Sequence, residues 1–119
     1  MRSFLATRRA ALALVLGLAT ALPLAAQEAD ISGSYLVEGR NPDGTPYAGT
    51  AVLTQRDGEV QINWTVQNDT YAGTGLIDGQ VVLVDWDQPA PIVYVLMTGG
   101  ELHGTWAGGT ALERLIPQR

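Results

Sequence analysis

The chain has 119 residues, 46% hydrophobic and 16% charged, with twelve acidic residues, seven arginines and neither lysine nor cysteine. Without cysteine there is no disulfide, no thiolate metal site and no thiol nucleophile, so the fold must hold by packing alone. The acidic balance repels phosphate backbones and anionic lipid surfaces, which sets nucleic acid and membrane partners aside.

The N-terminus is organised differently from the rest. Arg2, Arg8 and Arg9 precede an unbroken small and aliphatic run from Ala10 to Leu22, then Pro23 and the small-residue site Leu24-Ala25-Ala26. This is the pattern of a cleaved export signal covering 1–26, with the cut after Ala26. The apolar run makes a helix of roughly 20 Å, short of the ~30 Å hydrocarbon core, so stable membrane insertion after cleavage is not expected. Thr7-Arg8-Arg9-Ala10-Ala11-Leu12 also resembles a twin-arginine signal, with Ala where that pattern has a bulkier apolar residue; a general secretory signal is preferred. A lipoprotein would need a cysteine after the signal. Residues 27–119 then form one domain, large enough to bury about 60–70% of its unfolded surface. Four arginines (Arg40, Arg56, Arg114, Arg119) face all twelve acids there, a balance of −8. The Lys-free, Ala- and Arg-rich composition points to a GC-rich bacterial genome, and hence to a periplasmic or secreted protein.

From Ile31 onward no window has helical periodicity, while short alternating segments recur about every ten residues. Eight strands are expected near 31–39, 47–55, 60–67, 70–77, 80–86, 92–98, 101–107 and 110–116. The clearest is Val60-Gln61-Ile62-Asn63-Trp64-Thr65-Val66-Gln67, apolar at every even position and polar at every odd one, as a sheet with one wet face requires. Asp43-Gly44, Asp57-Gly58, Asp78-Gly79 and Gly99-Gly100 lie between strands and accept the positive φ of tight hairpins, which makes neighbours antiparallel. Asn41-Pro42-Asp43-Gly44 has no alternating oxygen ligands and no distal glutamate, so it reads as a turn rather than a calcium loop.

Tyr47-Ala48-Gly49-Thr50 returns as Tyr71-Ala72-Gly73-Thr74, with echoes at Ser32-Gly33-Ser34-Tyr35 and Leu102-His103-Gly104-Thr105-Trp106. Glycine recurring inside strands beside an aromatic residue marks backbone bending, or room for a ring from a neighbouring strand. Both suit an all-β, eight-stranded antiparallel up-and-down barrel whose interior holds Tyr35, Trp64, Tyr71 and Trp106. The alternative is a two-sheet β-sandwich.

The inventory for catalysis is thin. His103 is the only histidine and falls on the face opposite Trp106; Ser32 and Ser34 lie outside any nucleophile-elbow context. Asp85-Trp86-Asp87 is the one acid pair flanking an aromatic. On a regular strand its carboxylates would share a face roughly 6.5–7 Å apart, the spacing of a carboxylate-dependent glycoside hydrolase, but a solvated strand end is the plainer reading. No catalytic centre, metal site or cofactor is expected. Binding asks for less. Trp86 leads into Asp87-Gln88-Pro89-Ala90-Pro91, the longest and stiffest connection, so Asp85, Trp86, Asp87 and Gln88 are the candidate contact residues. The partner would be another protein, in adhesin-like fashion, or a small apolar or sugar-like ligand at the barrel mouth.

The order Gly33-x-Tyr35-x-Val37-x-Gly39-x-Asn41-Pro42-Asp43-Gly44-x-x-Tyr47-x-Gly49, then Trp64, Tyr71-x-Gly73-Thr74-Gly75, Pro91-x-Val93-Tyr94 and Leu102-x-Gly104-x-Trp106, resembles a family of small exported bacterial β proteins of unassigned function. Some members of that family carry the label fibronectin-binding protein. The resemblance spans nearly all of residues 27–119 and rests on glycines, turns and aromatics, so it implies an architecture and a compartment, and no functional residue follows from it.

Overall fold

The computed structural model describes residues 29–119, and the expected signal at 1–26 lies outside them. Eight strands follow one another: β1 Gly33–Arg40, β2 Pro46–Arg56, β3 Glu59–Val66, β4 Asp69–Asp78, β5 Val81–Asp85, β6 Ile92–Leu96, β7 Leu102–Trp106 and β8 Ala111–Pro117, with a single 3-10 turn at Ala107–Gly109. Each pairs antiparallel with the next, and β8 pairs back onto β1 from Tyr35↔Pro117 to Arg40↔Leu112. The result is a closed up-and-down barrel. Closure pairs every strand on both sides, which distinguishes it from a sandwich.

Two-residue periodicity decides which side chains go inside. In β3, Val60, Ile62 and Trp64 are buried and Gln61, Asn63 and Thr65 exposed, as their alternation predicts. Tyr35 and Val37 of β1, Ala51 and Leu53 of β2, Ile77 of β4, Val82 and Val84 of β5, Ile92 and Tyr94 of β6, and Leu102 and Leu115 join them in the core. Tight turns are made where glycine or a short polar residue tolerates positive φ. Asp57 and Gly58 (φ 53° and 82°) link β2 to β3 through the pair Arg56↔Glu59. Gln67 (φ 59°) opens the equally tight link between β3 and β4. The Asn41–Thr45 turn is closed by Asp43, whose Oδ1 accepts from the Thr45 backbone N–H at 3.0 Å and hydroxyl at 2.7 Å.

Up-and-down order sends the four odd-numbered connections to one end and the three even-numbered ones to the other. At the second end the segment before β1 brings Ile31 into the core, with its backbone N–H donating to Gln55 Oε1 and its carbonyl accepting from the Tyr35 hydroxyl. The first end is not sealed this way. There the β3–β4 hairpin overhangs its neighbour: β4 starts at Asp69, but its pairing with β5 starts only at Thr74↔Asp85. On the outer wall, Leu76 with Leu83 and Val81 with Val95 are register partners across β4, β5 and β6, and all four are exposed.

Two expectations about the interior need correcting. Tyr71 is 44% exposed, because it stands on the overhanging part of β4 where no β5 residue covers it. Trp106 is only half-buried, because it ends β7 at the open end. Tyr94, which the sequence reading did not place inside, is fully buried.

Candidate functional site

The open end is a mouth with a cavity of about 440 Å³. All four connections at that end reach it: Asn41 from the β1–β2 turn, Gln67 and Asp69 from the β3–β4 hairpin, Trp86 and Gln88 from the β5–β6 loop, and Trp106 where β7 enters the 3-10 turn. Tyr47, Trp64, Tyr71 and Ile92 line its wall, and Glu113 of β8 closes its floor. Three indole rings meet edge to face, Trp64 with Trp86 at a centroid separation of 6.4 Å and Trp86 with Trp106 at 5.7 Å; Tyr47 stands edge-on to Trp106 at 6.1 Å. Edge-to-face contacts of this kind fix ring orientation beyond what area burial alone would do.

Glu113 is the one buried charged residue among those described, at 7% exposure. Its inward phase follows from alternation in β8, where Ala111 and Leu115 are also buried and Leu112 and Arg114 exposed. Its register partners on both sides are glycines, Gly39 on β1 and Gly104 on β7. Those glycines are where two tyrosine rings lie: a Cβ at Gly39 would collide with the ring of Tyr47, and one at Gly104 with the ring of Tyr94. Each tyrosine crosses a bare stretch of backbone to bring its hydroxyl to the same carboxylate.

The carboxylate accepts three hydrogen bonds. The Tyr47 hydroxyl donates to Oε1 at 2.7 Å; Trp64 Nε1 donates to Oε2 at 3.1 Å, and the Tyr94 hydroxyl donates to the same oxygen. Trp106 Nε1 extends the network by donating to Tyr47 Oη at 2.8 Å, and Trp64 Nε1 also reaches Tyr94 Oη at 3.2 Å. Burial pushes the Glu113 carboxyl above its ordinary value, and the Tyr94, Tyr47 and Trp64 donors pull against that shift without cancelling it. Burial, followed by the neighbouring Glu113 charge, drives both Tyr47 and Tyr94 upward, so they stay protonated and act as donors. No ion pair among the described residues reaches Glu113: the ion pairs join His103 to Glu101 and Arg114 to Glu38 and Glu101, all away from the barrel interior.

The expected contact residues divide. Trp86 and Gln88 reach the mouth, Trp86 half-buried with Nε1 donating to the Ala90 carbonyl at 3.1 Å. Asp85 and Asp87 do not line it; they sit with Gln61, Asn63 and Thr74 in a shallow depression on the outside of β3, β4 and β5. The regular strand assumed for the two aspartates does not reach Asp87. β5 ends at Asp85, Asp87 turns to φ 67°, and its backbone N–H caps Asp85 Oδ1 at 3.1 Å, so period-two spacing no longer applies. His103 is exposed, as its phase predicts.

Glu113, Tyr47 and Tyr94 were not singled out from the sequence. The available signal was a lone acid in the apolar phase of Ala111-x-Glu113-x-Leu115, together with glycines in β1 and β7 that make room for rings. Comparison of the chain with models of known protein families and with curated proteins finds no match.

Proposed function

We propose that the protein is an exported, non-catalytic binding barrel, periplasmic or secreted, which takes a small ligand into its aromatic mouth. The observation that carries this is the pre-built character of the open end. Four connections, the overhanging β3–β4 hairpin among them, converge on one concave space, and its rings are held in fixed orientations by edge contacts and by hydrogen bonds among themselves. Ligand sites are concave, largely apolar and formed before the ligand arrives, and the mouths of barrels are among their usual locations. Binding is favoured over chemistry because the carboxylate at the floor already holds three donors, which leaves little capacity to exchange a proton with a substrate.

The test is a screen of small neutral, cationic and anionic compounds, read by the indole N–H resonances of Trp64, Trp86 and Trp106. A ligand should shift these three signals saturably and leave the outer-wall residues Leu76 of β4 and Leu83 of β5 unmoved. Hits that perturb only the outer wall around Leu76 and Leu83 would relocate the binding surface and reject the mouth.

A further inference from the structure

We propose that the ligand of the mouth is an organic cation, its ammonium head seated against the indole rings above Glu113. The proposal rests on the binding reading just given and names the chemical class that the same site selects.

The polar groups of the mouth are the first observation. Trp64 Nε1, Trp106 Nε1 and the Tyr47 hydroxyl are all donated inward, and Trp86 Nε1 is donated to the Ala90 carbonyl. Four of the groups that would otherwise hydrogen-bond a neutral polar ligand such as a sugar are therefore spent within the protein. What Tyr47, Trp64, Trp86 and Trp106 present instead is ring surface, whose faces carry the negative side of the aromatic quadrupole and attract a positive charge held within about 6 Å.

Charge is the second and independent observation. Every ionisable side chain of acidic or basic type lining the mouth is an acid, Asp69 at the rim and Glu113 at the floor, and no arginine lines it. Glu113 is nine-tenths buried, hydrogen-bonded only by neutral donors and joined to no basic side chain among the described residues. Neutral donors satisfy its lone pairs but leave its charge uncompensated. A buried charge without a counter-ion is costly, and a cationic partner seated above it would relieve that cost. The surplus of acids over the rest of the domain adds a long-range field of the same sign, which would concentrate cations at the surface.

The experiment titrates purified protein with two cations of different size, choline and benzyltrimethylammonium, and with the neutral compound of each in which carbon replaces the charged nitrogen. Binding is followed by the indole N–H signals and by tryptophan fluorescence. The cations should bind at least about tenfold more tightly than their neutral counterparts, the ratio set by ring and carboxylate attraction to a single charge. Raising the salt concentration should narrow that ratio. Two variants locate the effect. Trp86→Leu keeps an apolar side chain but removes a ring face, so it should weaken the cations and leave the neutral compounds nearly unchanged. Asp69→Asn, at an exposed position that the fold does not depend on, should weaken the cations alone by a smaller factor. Glu113→Gln should do the same by a larger one where the variant folds. If the neutral compounds bind the mouth as tightly as the cations, the cation assignment fails and the binding mouth stands. If no compound of any charge perturbs the mouth rings, both fail.

Discussion

Glu113 ties the protonation of one carboxyl to the stability of the whole domain. Its folded-state value is raised by burial above the ordinary 4.5, so the folded protein holds a proton that the unfolded chain releases more readily. Stability from this group is therefore complete below the unfolded value and is lost as pH rises through the folded one. Asp30 and Asp43, whose values are lowered by hydrogen bonds from Ser32 and Thr45, act in the opposite sense at lower pH. Taking the difference between wild type and Glu113→Gln cancels them. In urea unfolding between pH 4 and 8, that difference should move against the wild type as pH rises above about 4.5, then level off; a difference independent of pH would show that the carboxyl titrates normally. The three tryptophans give a second residue-level expectation. Trp64 is 3% exposed while Trp86 and Trp106 are half-buried, so acrylamide should quench single-tryptophan variants retaining Trp86 or Trp106 more than the one retaining Trp64. Trp64→Ala removes about 3–5 kcal/mol of packing, comparable to the stability of a small domain, and should abolish cooperative unfolding.

Among the elements, the pairs of glycine and tyrosine on adjacent strands carry the site. Replacing a strand glycine by alanine ordinarily gains about 0.5–1 kcal/mol, but at Gly39 the new methyl falls on the ring of Tyr47, so Gly39→Ala should destabilise by about 1–3 kcal/mol. In a double-mutant cycle with Tyr47→Ala the two changes should be strongly non-additive, because removing the ring removes the collision. Chemical denaturation of the four proteins measures this; additive costs would mean that the ring does not occupy that space. This device also marks how far the sequence could be read. Alternation in β3 and the Asp-Gly and Gly-Gly turns specify strands and hairpins locally, and glycine beside aromatic residues pointed to rings received by a neighbouring strand. Which ring meets which glycine depends on register between strands, and that is not local. Glu113 and Tyr47 are 66 residues apart, and only the closure of β8 onto β1 places them 2.7 Å apart. The choice of Trp86 and Gln88 as contact residues followed from a stiff loop, though nothing local showed that the loop faces the open end, whereas the pairing of Asp85 with Asp87 assumed a strand that had already ended.

For the molecule as a whole, closure makes the last strand indispensable. β8 hydrogen-bonds to both β1 and β7 and carries Glu113, so a chain lacking 110–119 would expose two bare edges and lose the floor of the mouth. Such a truncation should show no cooperative thermal transition by circular dichroism, whereas the complete barrel should give a β spectrum and a sharp melt; retention of a sharp melt would mean that seven strands close without it. The same seam has a kinetic meaning. Tyr35 pairs with Pro117, so the ring shuts across almost the entire described chain, a contact whose loop entropy must be met before it gives any return. Sheets dominated by such distant contacts fold in milliseconds to seconds, slowly for a protein of this size. A chain emerging from its N-terminus would therefore remain an open and sticky ribbon until β8 arrived, and completion of the mouth and completion of folding would be one and the same event.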